Sequence, residues 1–383
     1  MSAVVPKQKF FRSPLKWPGG KFRDLGRLMP LFPHEIDTFI DPFVGSGTIA
    51  ANIALTGIPS KMIVGDIDAD LIQFLKMDHN VFDAFQKLLL GLEAARRDAA
   101  LAPINEANFA TMFLAICVRT LRHIDNTLRR NDVVKRIVDE ERTRRIRAME
   151  KMRERGGQAE ANYPRTAIYA VIYYLVRDAF NDVSRNTSDP AVRVASWFVL
   201  RELAHGGVMR YSRDDRFNTA YGGMSYNIKS LLGKLPAIEK MNELFKSLKT
   251  EIRHEDFLSL LHYANPGPND FVFFDPPYER AFRPDETGNE KATLLNAPFY
   301  PYVRNAENIS SHSDLFRWLQ AHGDKTRWML VERQTPWIME KIEELEKTDP
   351  RIKVETYERT YAANIKGRNN RSTTHIIVTN YRR

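Results

Sequence analysis

The chain has 383 residues, with 57 Lys+Arg against 48 Asp+Glu and a net charge of +9. At 43% hydrophobic and 27% charged it has a globular balance that argues against overall disorder, and its length suits one large domain or two. The single cysteine, Cys117, excludes an internal disulfide and a cysteine-rich zinc site and points to a reducing compartment. Met1 to Lys9 lacks a signal-type apolar region, and no apolar run approaches the roughly 20 residues that span a bilayer, so secreted and membrane readings are set aside.

In chain order, Leu15-Lys16-Trp17-Pro18-Gly19-Gly20-Lys21 reads as a glycine loop between an indole and an ammonium. Thr38–Ile40 is a short apolar strand ending in Asp41-Pro42-Phe43-Val44-Gly45-Ser46-Gly47, followed by a helix over Thr48–Leu55. A second strand over Lys61–Gly65 ends in Asp66, and a helix over Ala69–Met77 comes next. Strand, glycine turn, helix, strand, helix opens a doubly wound parallel sheet. From about residue 82 to 249 helical periodicity takes over, at Phe109–Leu121, Val133–Arg155, Thr166–Phe180 and Ala191–Leu203. The turn-rich stretch 209–225 interrupts it, and Asp214-Asp215 between Tyr211 and Phe217 predicts a hairpin. The α/β rhythm returns with a buried strand at Asp270–Phe274, Asp275-Pro276-Pro277-Tyr278, a helix near Ser313–His322, a strand at Arg327–Val331 and a helix near Pro336–Glu346. Strands at Lys353–Thr360 and His375–Asn380 close the chain. The architecture expected is α/β, a doubly wound sheet domain (1–81 and 250–383) with a mainly helical insertion (82–249).

The basic excess is local. Arg119–Arg155 holds 13 Lys/Arg against 7 Asp/Glu, and Arg351–Arg383 holds 8 against 2. Such patches suit a polyanion, although a charge run is also what a solvated helix face looks like.

The sharpest chemical signal is Asp275-Pro276-Pro277-Tyr278 at the carboxyl end of a central strand, where open α/β sheets place their ligands. Paired prolines cannot continue a ladder and force a stiff turn. That turn gathers a carboxylate, carbonyls and an aromatic ring, a set suited to a planar ligand bearing an amino group. The bland alternative is a proline turn with Tyr278 in the core. Gly45 and Gly47 let a ligand approach the backbone, and Asp66, about 20 residues on, is placed to hold ribose hydroxyls. Ala50 stands where a dinucleotide fingerprint needs its third glycine, so a nucleoside cofactor without pyrophosphate is preferred. The nine histidines show no metal-ligand spacing, and no metal is expected.

Together, Lys-Trp-x-Gly-Gly-Lys, Asp-Pro-Phe-x-Gly-Ser-Gly, Gly-Asp-Ile-Asp and Asp-Pro-Pro-Tyr, in this order, resemble the D12-class (Dam-like) DNA adenine-N6 methyltransferases. Arg210-Tyr211 … Phe217-Asn218-x-x-Tyr221-Gly222 looks like that family's target-recognition hairpin, and Tyr361–Tyr381, with Lys366-Gly367-Arg368, like its last motif. The resemblance implies a Rossmann-like methyltransferase sheet with a helical target-recognition insertion. It implies methyl transfer from S-adenosylmethionine to the N6 of an adenine flipped out of double-stranded DNA. Asp275 and the Pro276 carbonyl would hold the amine on a turn stiffened by Pro277, and Tyr278 would stack on the base. Trp17, Lys21, Asp41, Phe43, Gly45, Gly47, Asp66 and Phe257 would serve the cofactor. Arg210, Tyr211, Arg216, Asn218 and Tyr221 would contact DNA. Arg213-Asp214-Asp215 and Thr219-Ala220 depart from the family's turn, so the sequence read is expected to differ from GATC. The resemblance further implies a cytoplasmic, DNA-associated enzyme of a bacterium or phage, monomeric or weakly dimeric, with a cognate restriction endonuclease as a candidate partner. Amino methylation of RNA adenine or of DNA cytosine N4, and a catalytically silent DNA-binding specificity subunit, are the alternatives.

Overall fold

The structure, a computed structural model, describes residues 10–129, 131–182, 189–212, 214–278, 311–360 and 372–382. Arg213, the aromatic cluster Phe299-Tyr300-Pro301-Tyr302 and Lys366-Gly367-Arg368 lie outside the described residues. The strands are β1 (Ile36–Asp41), β2 (Pro59–Asp66), β3 (Glu251–His254), β4 (Phe271–Phe274), β5 (Arg327–Arg333), β6 (Lys353–Thr360) and β7 (Ser372–Thr379). The longer helices are α1 (Thr48–Thr56), α2 (Ala69–Leu75), α3 (His79–Ala100), α4 (Phe109–Leu121), α5 (Asn131–Glu154) and α6 (Tyr163–Asn181). They continue with α7 (Pro190–Leu203), α8 (Leu235–Ser247), α9 (Phe257–Ala264), α10 (His312–His322) and α11 (Pro336–Thr348). Two compact units result: Met1–Ser13 with Trp17–Ile72 and Lys240–Arg383, and Pro14–Lys16 with Gln73–Glu239.

The first unit is built on a seven-stranded sheet of order β3-β2-β1-β4-β5-β7-β6. Strands β1 to β5 pair in parallel, and β7 runs antiparallel between β5 and β6. Parallel strands are buried on both faces, which is why β4 reads Phe-Val-Phe-Phe without a polar break. Phe271 and Phe273 meet Phe32 at ring separations of 5.2 and 5.7 Å, whereas Val272 and Phe274 join Ile40, Leu330 and the apolar faces of α9, α10 and α11. This is the Rossmann-like arrangement expected. The short strand β3 gave no sequence signal, because Glu-Ile-Arg-His on the sheet edge has one apolar residue and no alternation.

The second unit is helical. α6 and α7 are apolar nearly all round and buried along their lengths, as helices at a core centre must be. Against them Phe74 and Phe85 pack on Phe198 at 5.9 and 5.6 Å, and Phe74 lies 5.5 Å from Trp197. α5 carries the basic run. Its buried face, Val133, Ile137, Val138 and Met149, also contains Glu141, which holds Arg144 and, at 2.7 Å, Arg145. Arg136 lies 3.3 Å from Glu140 and 3.5 Å from Asp178, and Arg153 2.5 Å from Glu106. Much of the charge counted along α5 is therefore spent inside the unit. Among the described residues, no helix is long and apolar enough to cross a membrane.

Candidate active site

Parallel strands present all their carboxyl ends along one edge of a sheet, and three adjacent strands here end in carboxylates. β1 ends in Asp41, β2 in Asp66, and β4 runs directly into Asp275. All three are pushed up from the usual carboxylate range, each chiefly by burial. Asp41 accepts from the Phe43 N–H at 3.2 Å and also feels the charges of Asp275 and Asp66. Among the described residues, no group of three His, Cys, Asp or Glu is disposed to hold a metal.

Lys21 is the cation of this edge. Its ammonium donates to Asp275 Oδ1 at 2.5 Å, to the Tyr278 hydroxyl at 2.6 Å and to the Gly19 carbonyl at 3.2 Å. An ammonium has three protons, and these three acceptors take them all. Lys21 is only 2% exposed. It stands as the partner of the proline corner. Burial raises the Asp275 pKa, and the Lys21 charge opposes that rise.

Tyr278 is braced from residues that the sequence did not single out. The ring of His375, on β7, meets it edge-on at 4.9 Å, and Tyr357, on β6, lies 5.4 Å from His375. Burial, with Lys21 and Arg359 nearby, pulls the His375 pKa down to about 4, so this ring is neutral near pH 7. Arg359, also on β6, reaches the Gly20 carbonyl at 2.9 Å and Asp24 at 3.1 Å, fixing the loop from which Lys21 projects. A basic or aromatic residue in a closing strand carries no signal of this kind, because antiparallel register decides what it touches.

Asp66 is 1% exposed, and its oxygens accept the N–H groups of Gly45 at 3.1 Å and Asp68 at 3.0 Å. Burial and the neighbouring Asp68 charge push its pKa to about 7. Among the described residues, no cation lies within salt-bridge distance of it, so its negative end is suited to neutral donors such as hydroxyls. Phe43 and Phe257 face each other at 5.2 Å nearby in the sheet unit, Phe257 opening α9 behind the Asp256 cap. Gly45 has φ +47°, and an added Cβ would lie 2.9 Å from the Trp17 indole nitrogen, so only glycine lets this indole cover the turn. Gly47, at φ +71°, instead faces Phe245 and Met241 of α8.

In the helical unit, Tyr211 and Phe217 bridge across an antiparallel turn closed by Ser212 N–H to Arg216 O at 2.9 Å, with Asp215 at φ +55°. Arg210, Arg216 and Asn218 are exposed, and Arg210 Nε donates to Asn218 Oδ1 at 3.2 Å. Tyr211 is half-buried, edge-on to Phe217. Tyr221 is not on this surface: it is buried, its hydroxyl donates to Asn227 Oδ1 at 2.8 Å, and burial pushes its pKa up to about 12. Ten residues after Tyr211 the chain has already turned back into the core, bridging Ala204.

Comparison with known proteins follows the same outline. A Type II methyltransferase of Methanocaldococcus jannaschii, M.MjaIII, is 25% identical over 270 residues, covering 69% of this chain and 68% of that protein. A DNA N-6-adenine-methyltransferase of Escherichia phage P1 is 25% identical over 276 residues, which are 72% of this chain but 25% of the phage protein. A DNA adenine methylase of Haemophilus influenzae is 38% identical over 75 residues, 20% of this chain and 24% of its own. The family model for D12 class N6 adenine-specific DNA methyltransferases matches residues 17–163 and 157–290. That span includes the Lys21 loop, the three strand-end carboxylates and the proline corner, and the chain belongs to this family.

Proposed function

We propose that the enzyme transfers its methyl group from S-adenosylmethionine to an adenine turned out of double-stranded DNA, with Asp275, Pro276 and Tyr278 holding the base. The observation that carries this is the Lys21–Asp275–Tyr278 cluster. It holds a half-buried carboxylate and a phenol ring on a rigid corner beside the Asp66 edge. The exocyclic N6 is a poor nucleophile because its lone pair is delocalised into the ring. Two acceptors, Asp275 Oδ2 and the Pro276 carbonyl, draw its N–H groups out of the ring plane and localise that pair. Oδ1 stays engaged with Lys21, so the carboxylate does not have to reorganise as the amine arrives. Its raised pKa also fits Asp275 for taking the proton that N6 sheds. Turning the base out costs a few kcal/mol, and stacking on Tyr278 returns about 1–3 kcal/mol.

The Asp66 side fits the donor's nucleoside. A buried carboxylate without a cation suits two ribose hydroxyls, and the Phe43–Phe257 pair offers apolar ring contact for a purine. Trp17 over Gly45 would close the same pocket. When bound, S-adenosylmethionine supplies an electrophilic methyl on a sulfonium centre. The helical unit, 73–239, would read the target through Arg210, Arg216 and Asn218, supported by Tyr211. The Type II names of the relatives extend the reading to a modification enzyme paired with a restriction endonuclease.

Asp275→Ala tests the assignment. Loss of the acceptor on the reacting amine should lower methyl transfer by about 100- to 1000-fold. Affinity for DNA, measured by fluorescence anisotropy, should stay within a few-fold of wild type. Wild-type turnover in this variant would end the role given to Asp275.

A further inference from the structure

The helical unit contains a second concentration of charge that the recognition turn does not use. Lys229 Nζ lies 3.5 Å from the centroid of the Tyr226 ring, and Lys16 Nζ lies 5.3 Å from the same centroid. Among the described residues, neither ammonium has a carboxylate within 4.0 Å. The nearby carboxylate, Glu202, is engaged by Lys234 at 2.7 Å, and Lys234 also donates to the Pro14 carbonyl at 2.5 Å. Lys229 is left with the Glu202 backbone carbonyl at 3.2 Å. Two like charges on one ring repel each other, and what stands against them is the partial negative charge of a π face and a carbonyl and, at longer range, Glu202, which Lys234 already engages. Burial, reinforced by Lys16, accordingly pulls the Lys229 pKa down to about 7.

The arrangement is held in place rather than collapsed. Arg96 is buried, and its Nη2 donates to the carbonyls of Tyr226, Asn227 and Lys229 at 3.1, 3.2 and 2.7 Å. The Gly206 N–H donates to the Tyr226 hydroxyl at 3.1 Å. A backbone pinned in this way keeps two ammonium groups together where a free loop would let them separate. Among the described residues such a pair has no anion within salt-bridge distance, and the anion a DNA methyltransferase meets in quantity is the phosphodiester.

We propose that Lys229 and Lys16, gathered on the ring of Tyr226, bind one phosphate of the DNA backbone, separately from the base-reading turn at 211–217. A phosphate oxygen between the two ammonium groups replaces their repulsion with two charge-assisted hydrogen bonds. The contact positions the duplex and carries no sequence information.

The proposal rests on DNA as the substrate and is tested on the full-length protein by duplex affinity at several KCl concentrations. Lys229→Met keeps an apolar stem over Tyr226 and removes the charge. It should weaken binding roughly tenfold on cognate and unrelated duplexes alike, and reduce the slope of log K against log salt by about one phosphate contact. Lys229→Arg should keep the wild-type slope, and Lys16→Met, at an exposed position, should reproduce the loss should Lys229→Met fold poorly. Methyl-donor affinity without DNA should be unchanged in Lys229→Met, which separates failure of this site from failure of the catalytic reading. Inorganic phosphate at constant ionic strength should not displace the duplex. An unaltered salt slope in both methionine variants, a loss confined to one DNA sequence, or displacement by inorganic phosphate would each overturn the proposal.

Discussion

Asp66 and Asp275 are both carboxylates at strand ends, yet their surroundings set them different tasks. A carboxyl group with a folded-state pKa above its unfolded value stabilises the fold most at low pH. That contribution is lost as pH rises through the folded value. For Asp66 this window runs up to about pH 7. The ligand-free wild type should therefore lose thermal stability between about pH 4 and 7 and level off above, and Asp66→Asn should lose less, as followed by melting temperature. In the proposed role the ionised form would accept ribose hydroxyls, so donor affinity should rise between about pH 6 and 8 in wild type and stay flat in Asp66→Asn; titration calorimetry at the two pH values checks this. Lys21 acts on Asp275 in the opposite sense, holding its pKa below what burial alone would impose. Lys21→Gln should move the acidic limb of the kcat–pH profile up by about one pH unit or more, while Lys21→Arg should shift it less.

Elements bring these residues together through a few local constraints. The proline pair ends β4 and stiffens the corner, and the parallel register of β1, β2 and β4 puts Asp41, Asp66 and Asp275 on a common edge. Gly47 initiates α1 in a left-handed conformation with Phe245 and Met241 against it. Gly47→Ala adds a Cβ 3.2 Å from the Phe245 ring on a backbone that L-residues avoid, and should cost about 1–2 kcal/mol or more in a denaturation experiment. In the turn at 210–218, proposed to read DNA, Asn218 accepts a hydrogen bond from Arg210 across the strand ends. Asn218→Ala should relax discrimination between target and near-target sequences by about 1–3 kcal/mol, read as the ratio of methylation rates. Binding to unrelated DNA should change far less. Tyr221 belongs to the element's support, so Tyr221→Phe should lower stability through the orphaned Asn227 amide and leave sequence choice alone.

For the molecule as a whole, the net charge of +9 overstates the surface available to DNA. Arg136, Arg144, Arg145 and Arg153 of α5 are tied to acidic groups of the helical unit, and the exposed pairs of Arg136 and Arg153 add little stability, unlike the buried Arg145–Glu141 pair. They do lower the local field that a polyanion would meet. The unit's stability comes instead from aromatic packing around α7. Trp197→Ala should lower it by about 3–5 kcal/mol, visible as an early unfolding transition. Family membership also decides among chemistries that the proline corner alone left open, setting aside cytosine N4, RNA and a silent specificity subunit in favour of adenine N6 in DNA.

Sequence by itself determined the doubly wound order, most helix positions and the proline corner, because hydrophobic period, glycine turns and paired prolines act over a few residues and leave local marks. It placed α3 and α8 only within a stretch read as helical, without their boundaries, and did not reveal α9 or β3, which are short. The tertiary structure alone decided that Lys21 spends its three protons on Gly19, Asp275 and Tyr278, that His375 and Arg359 brace the corner from the closing strands, and that Tyr221 faces inward. Those outcomes depend on register and burial between residues far apart in the chain, and no spacing along the chain encodes which of several acceptors an ammonium or hydroxyl will meet once water has left.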